Sequence, residues 1–381
     1  MARKNKPQHK QPAPARSWPR ARRMAAVAGL AAGAALLAGT AAVPATATAT
    51  TAPPMPRVSA HEMTGTGRAS TAAERAVTYW TRARMLSARN GDRIQLTSPP
   101  ASHATLRHPT GPTGRVAGTA PVQRLTGAAA RAAASARAKL PPRSGSTGSG
   151  WTGNFYLPPA TTTGKVFFST TGNGQTENWV CSGSTVNSGG KDAVITAGHC
   201  VYGSLGGQVP GERWHSNWVF VPDYYNGYAP YGVWTARQLW TLTNYINNQD
   251  EGDDIGAAVM NTNSSGQHIV SVVGGQGLAW NWAENQYVYD FGYPAAPPFN
   301  GASLQYCNGS EFNWPYVSST MGLACNFTGG SSGGPWLRSF GGEWGYINGV
   351  NDFGYTSLPG DIFSAYFGNN ADALYNSVAN L

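Results

Sequence analysis

A chain of 381 residues is long enough to bury a sizeable core and to carry flanking segments besides. Its formal net charge of +9 hides a segregation: residues 1–150 hold 22 Lys and Arg against 3 Asp and Glu, whereas residues 151–381 hold 5 against 15. The basic part is low in large apolar residues and the part able to fold is acidic and aromatic-rich, which sets nucleic acid aside as a partner.

Residues 1–47 read as an export signal. Arg16, Arg20, Arg22 and Arg23 close a basic stretch, an Ala/Leu/Val/Gly run follows from residue 24 to 43, and Ala45-Thr46-Ala47 and Ala47-Thr48-Ala49 offer cleavage sites. The run is long enough to be weighed as an uncleaved anchor, but its Ala and Gly content makes it weakly apolar. A mature form free of the membrane is therefore expected, and Arg22-Arg23 also admits twin-arginine export. Residues 48–150 read as a pro-segment and linker. One stretch, 72–88, carries Val77, Tyr79, Trp80, Met85 and Leu86 and predicts a helix able to dock on a partner domain. The run 127–140 is Ala/Arg-rich and weakly helical, and 141–150 is a flexible linker by composition. Arg137, Lys139 and Arg143 are candidate cleavage points. Nothing in this leader can bury a core alone.

From Trp151 the composition changes. Short β-like runs at 165–169, 179–186, 193–196, 218–221, 255–260, 269–273, 286–292, 336–337 and 344–350 alternate with Gly/Asn/Pro/Ser turns. Many short strands with turn signals between them predict an antiparallel sandwich or barrel. A helix is expected at 371–379, with Asn369 or Asn370 as its N-cap. The four cysteines, an even count in an exported chain, imply an oxidising compartment and disulfides. Of the three connectivities, the sequence-local one, Cys181–Cys200 and Cys307–Cys325, is preferred, each loop contributing on the order of 3 kcal/mol. No C-x-x-C pair or nearby His cluster suggests zinc.

Two motifs carry chemistry. In Val194-Ile195-Thr196-Ala197-Gly198-His199-Cys200 an apolar strand delivers a histidine beside a cysteine, and a bridge at Cys200 would hold the imidazole still. A general base needs that rigidity, because it works within about 2.6–3.2 Å of the proton it takes. A lone histidine after a strand is more often structural, but the flanking residues remove that default. In Gly329-Gly330-Ser331-Ser332-Gly333-Gly334-Pro335-Trp336 a glycine-rich bend surrounds a serine and runs into a β-like segment. A serine hydroxyl needs a base to become nucleophilic, and the oxyanion it generates needs backbone N–H donors aimed at it.

Thr196-Ala197-Gly198-His199-Cys200 and Gly330-Ser331-Ser332-Gly333-Gly334-Pro335 resemble the T-A-[AG]-H-C and G-D-S-G-G-P hallmarks of the chymotrypsin-like (trypsin-fold) serine peptidases. The resemblance covers about residues 151–381 and is nearest the secreted bacterial branch that includes glutamyl endopeptidases. Tyr79-Trp80-Thr81 is similar to leaders of such proteins. It implies an all-β fold of two antiparallel six-stranded barrels, about 151–265 and 266–381, with a C-terminal helix. It implies a His199–Asp254–Ser332 triad, since Asp254-Ile255-Gly256-Ala257 fits the family's D-[IL]-[AGT]-[LV] pattern. Asp253 is the rival acid, and a Ca²⁺ loop is the rival reading of Asp250, Glu251, Asp253 and Asp254. By position, the oxyanion hole is the N–H groups of Gly330 and Ser332. Asn326 stands at the pocket base, and Gly349-Val350-Asn351-Asp352-Phe353-Gly354 stands at the substrate-pairing edge, with Asp352, Phe353 and Gly354 as substrate contacts. Asp352 replaces a serine that bonds the triad acid, and a second carboxylate there raises one pKa by repulsion. Ser331 replaces the aspartate that captures a new N-terminal amine, so leader removal is expected to activate by uncovering the site.

The function implied is a secreted, extracellular serine endopeptidase, made as a zymogen. It would be monomeric, with no cofactor or metal, acting on polypeptides and bound by its own pro-segment. A catalytically inactive module gripping glycans on the same fold, and an esterase with the same triad, are the alternatives.

Overall fold

The computed structural model describes residues 54–63, 69–90, 95–104, 111–122, 146–172, 174–203 and 213–381. The export-signal reading of 1–47, the run 127–140 and the candidate cleavage points Arg137, Lys139 and Arg143 lie outside the described residues. Among the described residues no helix is long and apolar enough to cross a membrane.

Six antiparallel strands close into a first barrel: β1 (Thr163–Gly172), β2 (Gln175–Thr185), β3 (Ala193–Ala197), β4 (Ser216–Pro222), β5 (Trp234–Leu242) and β6 (Ile255–Met260). The order around the ring is β5-β4-β1-β2-β3-β6, with β6 returning to β5. Strands β3 and β6 are buried at every position. The barrel interior takes one face, and the C-terminal helix Asn369–Val378 packs against β5 and β6 from outside. Ala-Val-Ile-Thr-Ala and Ile-Gly-Ala-Ala-Val-Met are accordingly unbroken apolar runs, with no polar alternation.

The second barrel folds two sheets over one another. β7 (Gly277–Trp280), β8 (Tyr287–Gly292), β9 (Gln305–Ser310), β11 (Pro335–Arg338) and β12 (Tyr346–Val350) form one, in the order β7-β12-β11-β8-β9. β10 (Thr320–Ala324), β13 (Phe353–Tyr355) and β14 (Leu358–Ala365) form the other, in the order β10-β14-β13. Val288, Met321, Leu323, Trp336 and Ile362 fill the space between. The β7–β12 pair is parallel and the rest of these pairs are antiparallel.

The run 269–273 is a helix, Ile269–Val273, where a strand was expected. A five-residue apolar run is too short for its period to separate the two. Here Ile269, Val270 and Val273 share a buried face, and Gly274, at φ +82°, ends the turn by donating its N–H to Val270 O. The expected helix at 72–88 is two, α1 (Ala69–Tyr79) and α2 (Arg82–Ser87), and the Thr81 side chain caps the second.

The leader packs on the barrels. Its strand Val58–Glu62 pairs antiparallel with β5 from Leu242 to Gln238. Ala76, Trp80 and Met85 are buried in the first barrel's core cluster. Trp80 Nε1 donates to Asn217 O at 2.6 Å and the Tyr79 hydroxyl to Asn178 Oδ1 at 2.8 Å. Residues 114–116 pair with β7, and 149–150 with β9. A segment too poor in apolar residues to fold alone thus borrows its partner's core.

Candidate active site

His199 leaves β3 in a single 3₁₀ turn, Gly198–Cys200. Its Nδ1 lies 2.7 Å from Asp254 Oδ2, and its backbone N–H donates to Asp254 Oδ1 at 2.7 Å. One carboxylate therefore holds both the ring and the main chain of the histidine. With the proton on Nδ1, where Asp254 accepts it, Nε2 keeps its lone pair. Gly198 permits the approach: a Cβ there would stand 2.8 Å from Asp254 Oδ1 and 2.9 Å from Thr241 Oγ1. Asp253, the rival acid, turns away and accepts from Asn244 at 2.7 Å and from Asn370 at 3.2 Å. Asp250 Oδ1 caps Gly252 N while its Oδ2 shares Asn244 with Asp253, and among the described residues these carboxylates do not group as metal ligands.

Both preferred disulfides are present, Cys181–Cys200 and Cys307–Cys325. Cys181, His199 and Cys200 are grouped as metal ligands would be, but the two sulfurs are bonded to each other and offer no thiolate.

The Ser332 loop comes from the second barrel and is stitched onto the first. Ser182 N–H donates to Ser332 O at 2.6 Å, and the Ser182 hydroxyl donates to Gly330 O at 2.9 Å. Ser182 follows Cys181, which is bridged to the neighbour of His199, so serine and histidine are tied to one short strand segment. Gly333, at φ +78°, lies so close to β3 that a Cβ would stand 2.1 Å from Thr196 Oγ1 and 2.5 Å from Ser182 O. Within the loop Ser331 N–H donates to Thr328 O, Gly333 N–H to Asn351 O and Gly334 N–H to Ser331 O. That leaves the N–H groups of Gly330 and Ser332 without an acceptor among the described residues. Ser331 satisfies its hydroxyl locally on Thr328 O at 2.9 Å.

His199 is 1 % exposed and Asp254 and Ser332 are 0 % exposed. Both Nε2 of His199 and Oγ of Ser332 are buried without a hydrogen-bond partner. The two atoms are therefore not hydrogen-bonded to each other.

Asp352 lies fully buried, its Oδ2 accepting from Ala365 N–H. Burial first, and then the charge of Asp254, push its carboxyl well above the usual carboxylate range. Repulsion, the cause anticipated from the sequence, is the smaller of the two. The Phe353 ring packs inward on Phe363, stacked at 5.1 Å, so this residue meets the cleft only through its backbone. Asn326 engages residues 146–148: its N–H donates to Ser146 O at 2.9 Å and its Oδ1 accepts from Gly148 N–H at 2.7 Å.

Sequence reasoning passed over three residues. His215 stacks on Phe168 at 4.2 Å and places Nε2 2.9 Å from His199 O. Burial lowers its pKa to about 3, so it is a neutral ring donating that bond. Ser182 was discoverable from its place after a bridged cysteine. Asn351, which donates to Asp290 Oδ1 at 2.8 Å and accepts from Trp336 Nε1 at 2.8 Å beneath the serine loop, had no sequence signal.

No protein-family model matches the chain, and no curated protein does. Solved structures do. The protease Anisep from Arthrobacter nicotinovorans is 41 % identical, the alignment covering 61 % of this chain and 100 % of that one with a TM-score of 0.53. A thermostable serine protease, AL20, from an extremophilic microorganism is 40 % identical over 58 % of this chain and 97 % of its own, with a TM-score of 0.52. With the closed six-stranded barrel, the second barrel beside it and these relatives together, the chain belongs to the trypsin-fold serine proteases.

Proposed function

We propose that this chain is the precursor of a secreted serine endopeptidase in which Ser332 attacks, His199 moves the proton and Asp254 holds the imidazole. The observation that carries the reading is the pair of 2.7 Å contacts from Asp254 to His199, one to Nδ1 and one to the backbone N–H. They select the tautomer in which Nε2 accepts the Ser332 proton as Oγ attacks a peptide carbonyl. The N–H groups of Gly330 and Ser332 stabilise the oxyanion. His199 then protonates the leaving amine, and a water it deprotonates releases the acyl group. By position in the motif, the backbone of Phe353 and Gly354 would pair with the substrate's acyl half, with Asn326 and Asp352 assigned beside it. The sequence's export signal and two disulfides support an extracellular site of action.

Phosphonylation by a fluorophosphonate tests the assignment. In the chain freed of its leader, the label should map to Ser332 and vanish in Ser332→Ala, together with casein hydrolysis. Labelling with hydrolysis of short-chain esters but not casein would make the protein an esterase. No labelling at Ser332 would make it a binding module.

A further inference from the structure

The nucleophile of a protease must be reached by a peptide, yet Ser332 is 0 % exposed here. Two short pieces of the leader lie on the two strand edges that flank it. Arg89–Asn90 pairs in parallel with Trp179–Val180 of β2, just before Cys181. Gln95–Leu96 pairs in parallel with Gly354–Tyr355 of β13. The second contact continues as Thr356 N–H donates to Leu96 O at 2.8 Å and the Thr356 hydroxyl donates to Thr97 O at 3.0 Å. Leu96 packs against the cluster of Trp314, Phe353, Tyr355 and Phe363, and Arg89 pairs with Glu177 at 3.0 Å.

The direction of a substrate on these edges follows from the chemistry. His199 has to protonate the leaving amine, so the half of the substrate carrying that nitrogen lies on the histidine's side, along β2, whose Cys181 is bridged to Cys200. The acyl half lies along β13 of the other barrel. A substrate therefore runs, from its N- to its C-terminal end, from Tyr355 toward Trp179. The leader runs from Trp179 to Tyr355.

We propose that these two edges form one peptide-binding surface and that the leader fills it with reversed polarity, blocking the cleft without being cut there. The proposal rests on the triad reading above. Reversing a chain exchanges the amide nitrogen and the α-carbon about each carbonyl, so the nitrogen that would leave faces away from His199. A peptide laid this way occupies the same edge strands in a parallel ladder, where a substrate would form an antiparallel one, and offers no productive bond.

The full chain, purified with its leader attached, should react slowly with a small fluorophosphonate. Leu96→Asp puts a carboxylate into the apolar cluster at β13, and Arg89→Glu sets like charges together at β2. Each should speed labelling of Ser332 by about tenfold or more, as expected when a closed state loses its bias. Arg89 is exposed, so its variant keeps the test alive if Leu96→Asp misfolds. Mass spectrometry of the parent chain during maturation should find no cut between Asn90 and Gln95 whose rate is independent of protein concentration. Such a cut would overturn the polarity. Labelling of the intact parent as fast as that of the leader-free chain, unchanged in either variant, would overturn the proposal while leaving the triad standing. If Ser332 stays unlabelled even after the leader is gone, the triad reading itself fails.

Discussion

Asp254 and Asp352 are two buried carboxyl groups held apart in function by their partners. Asp254 spends both oxygens on His199, whereas Asp352 receives one backbone N–H and has an Oδ1 with no partner. Glu251 adds to the negative field around Asp352. Burial and the charge of Asp254 both favour the protonated form of Asp352. The linkage sign is clear. A carboxyl whose folded pKa exceeds its unfolded value contributes stability in full below about pH 4, and that contribution is lost as pH rises toward the folded value. Asp352→Asn, a neutral shape match, should flatten this loss: between pH 5 and 9 (about the range above the unfolded pKa) its Tm should fall less than that of the parent. Parallel curves in calorimetry would mean that Asp352 is ionised.

At the scale of elements, His199, the proposed base, is held from several sides. The Cys181–Cys200 bridge closes a loop of sequence separation 19, and His215, just before the fourth strand, donates to the histidine's own carbonyl. The C-terminal helix braces the turn that precedes Asp254, since Asn370 donates to Gly252 O at 3.0 Å and to Asp253 Oδ1. Replacing both Cys181 and Cys200 by Ala should cost about 3 kcal/mol in urea unfolding. Because that bridge also links the serine's anchor at Ser182 to the histidine's neighbour, acylation by a fluorophosphonate should slow too. Lost stability with an unchanged acylation rate would show that the bridge does not position the base.

For the whole molecule, the leader is part of the fold. It extends the first barrel through β5, buries Trp80 in that barrel's core and adds strands to the second. If the chain is the proposed precursor, activation has to uncover a site whose loop is already shaped. Ser331 bonds Thr328 and has no carboxylate to offer a new amine. Extending or acetylating the N-terminus of the leader-free protein should change kcat/KM by less than about twofold, a shift well under 1 kcal/mol. A loss of two orders of magnitude would restore an N-terminal ion pair as the trigger.

Much of the site was legible in the chain because its parts are local. Strand-then-histidine, glycine-rich bend around a serine, and aspartate before an apolar strand are each written in a few consecutive residues, and the two short-range disulfides follow the same logic. The length of the 269–273 run left helix and strand undivided, and only packing on one face decided it. The contacts that make the pieces a site are long-range and carry no period or motif: Ser182 under Ser332, His215 behind His199, Asn351 between Asp290 and Trp336. The direction in which Arg89–Asn90 and Gln95–Leu96 pair with β2 and β13 is of the same kind. Residues 89–97 hold no signal for it, because a strand pairs through its backbone, which is the same in every sequence, and only the register against β2 and β13 assigns it.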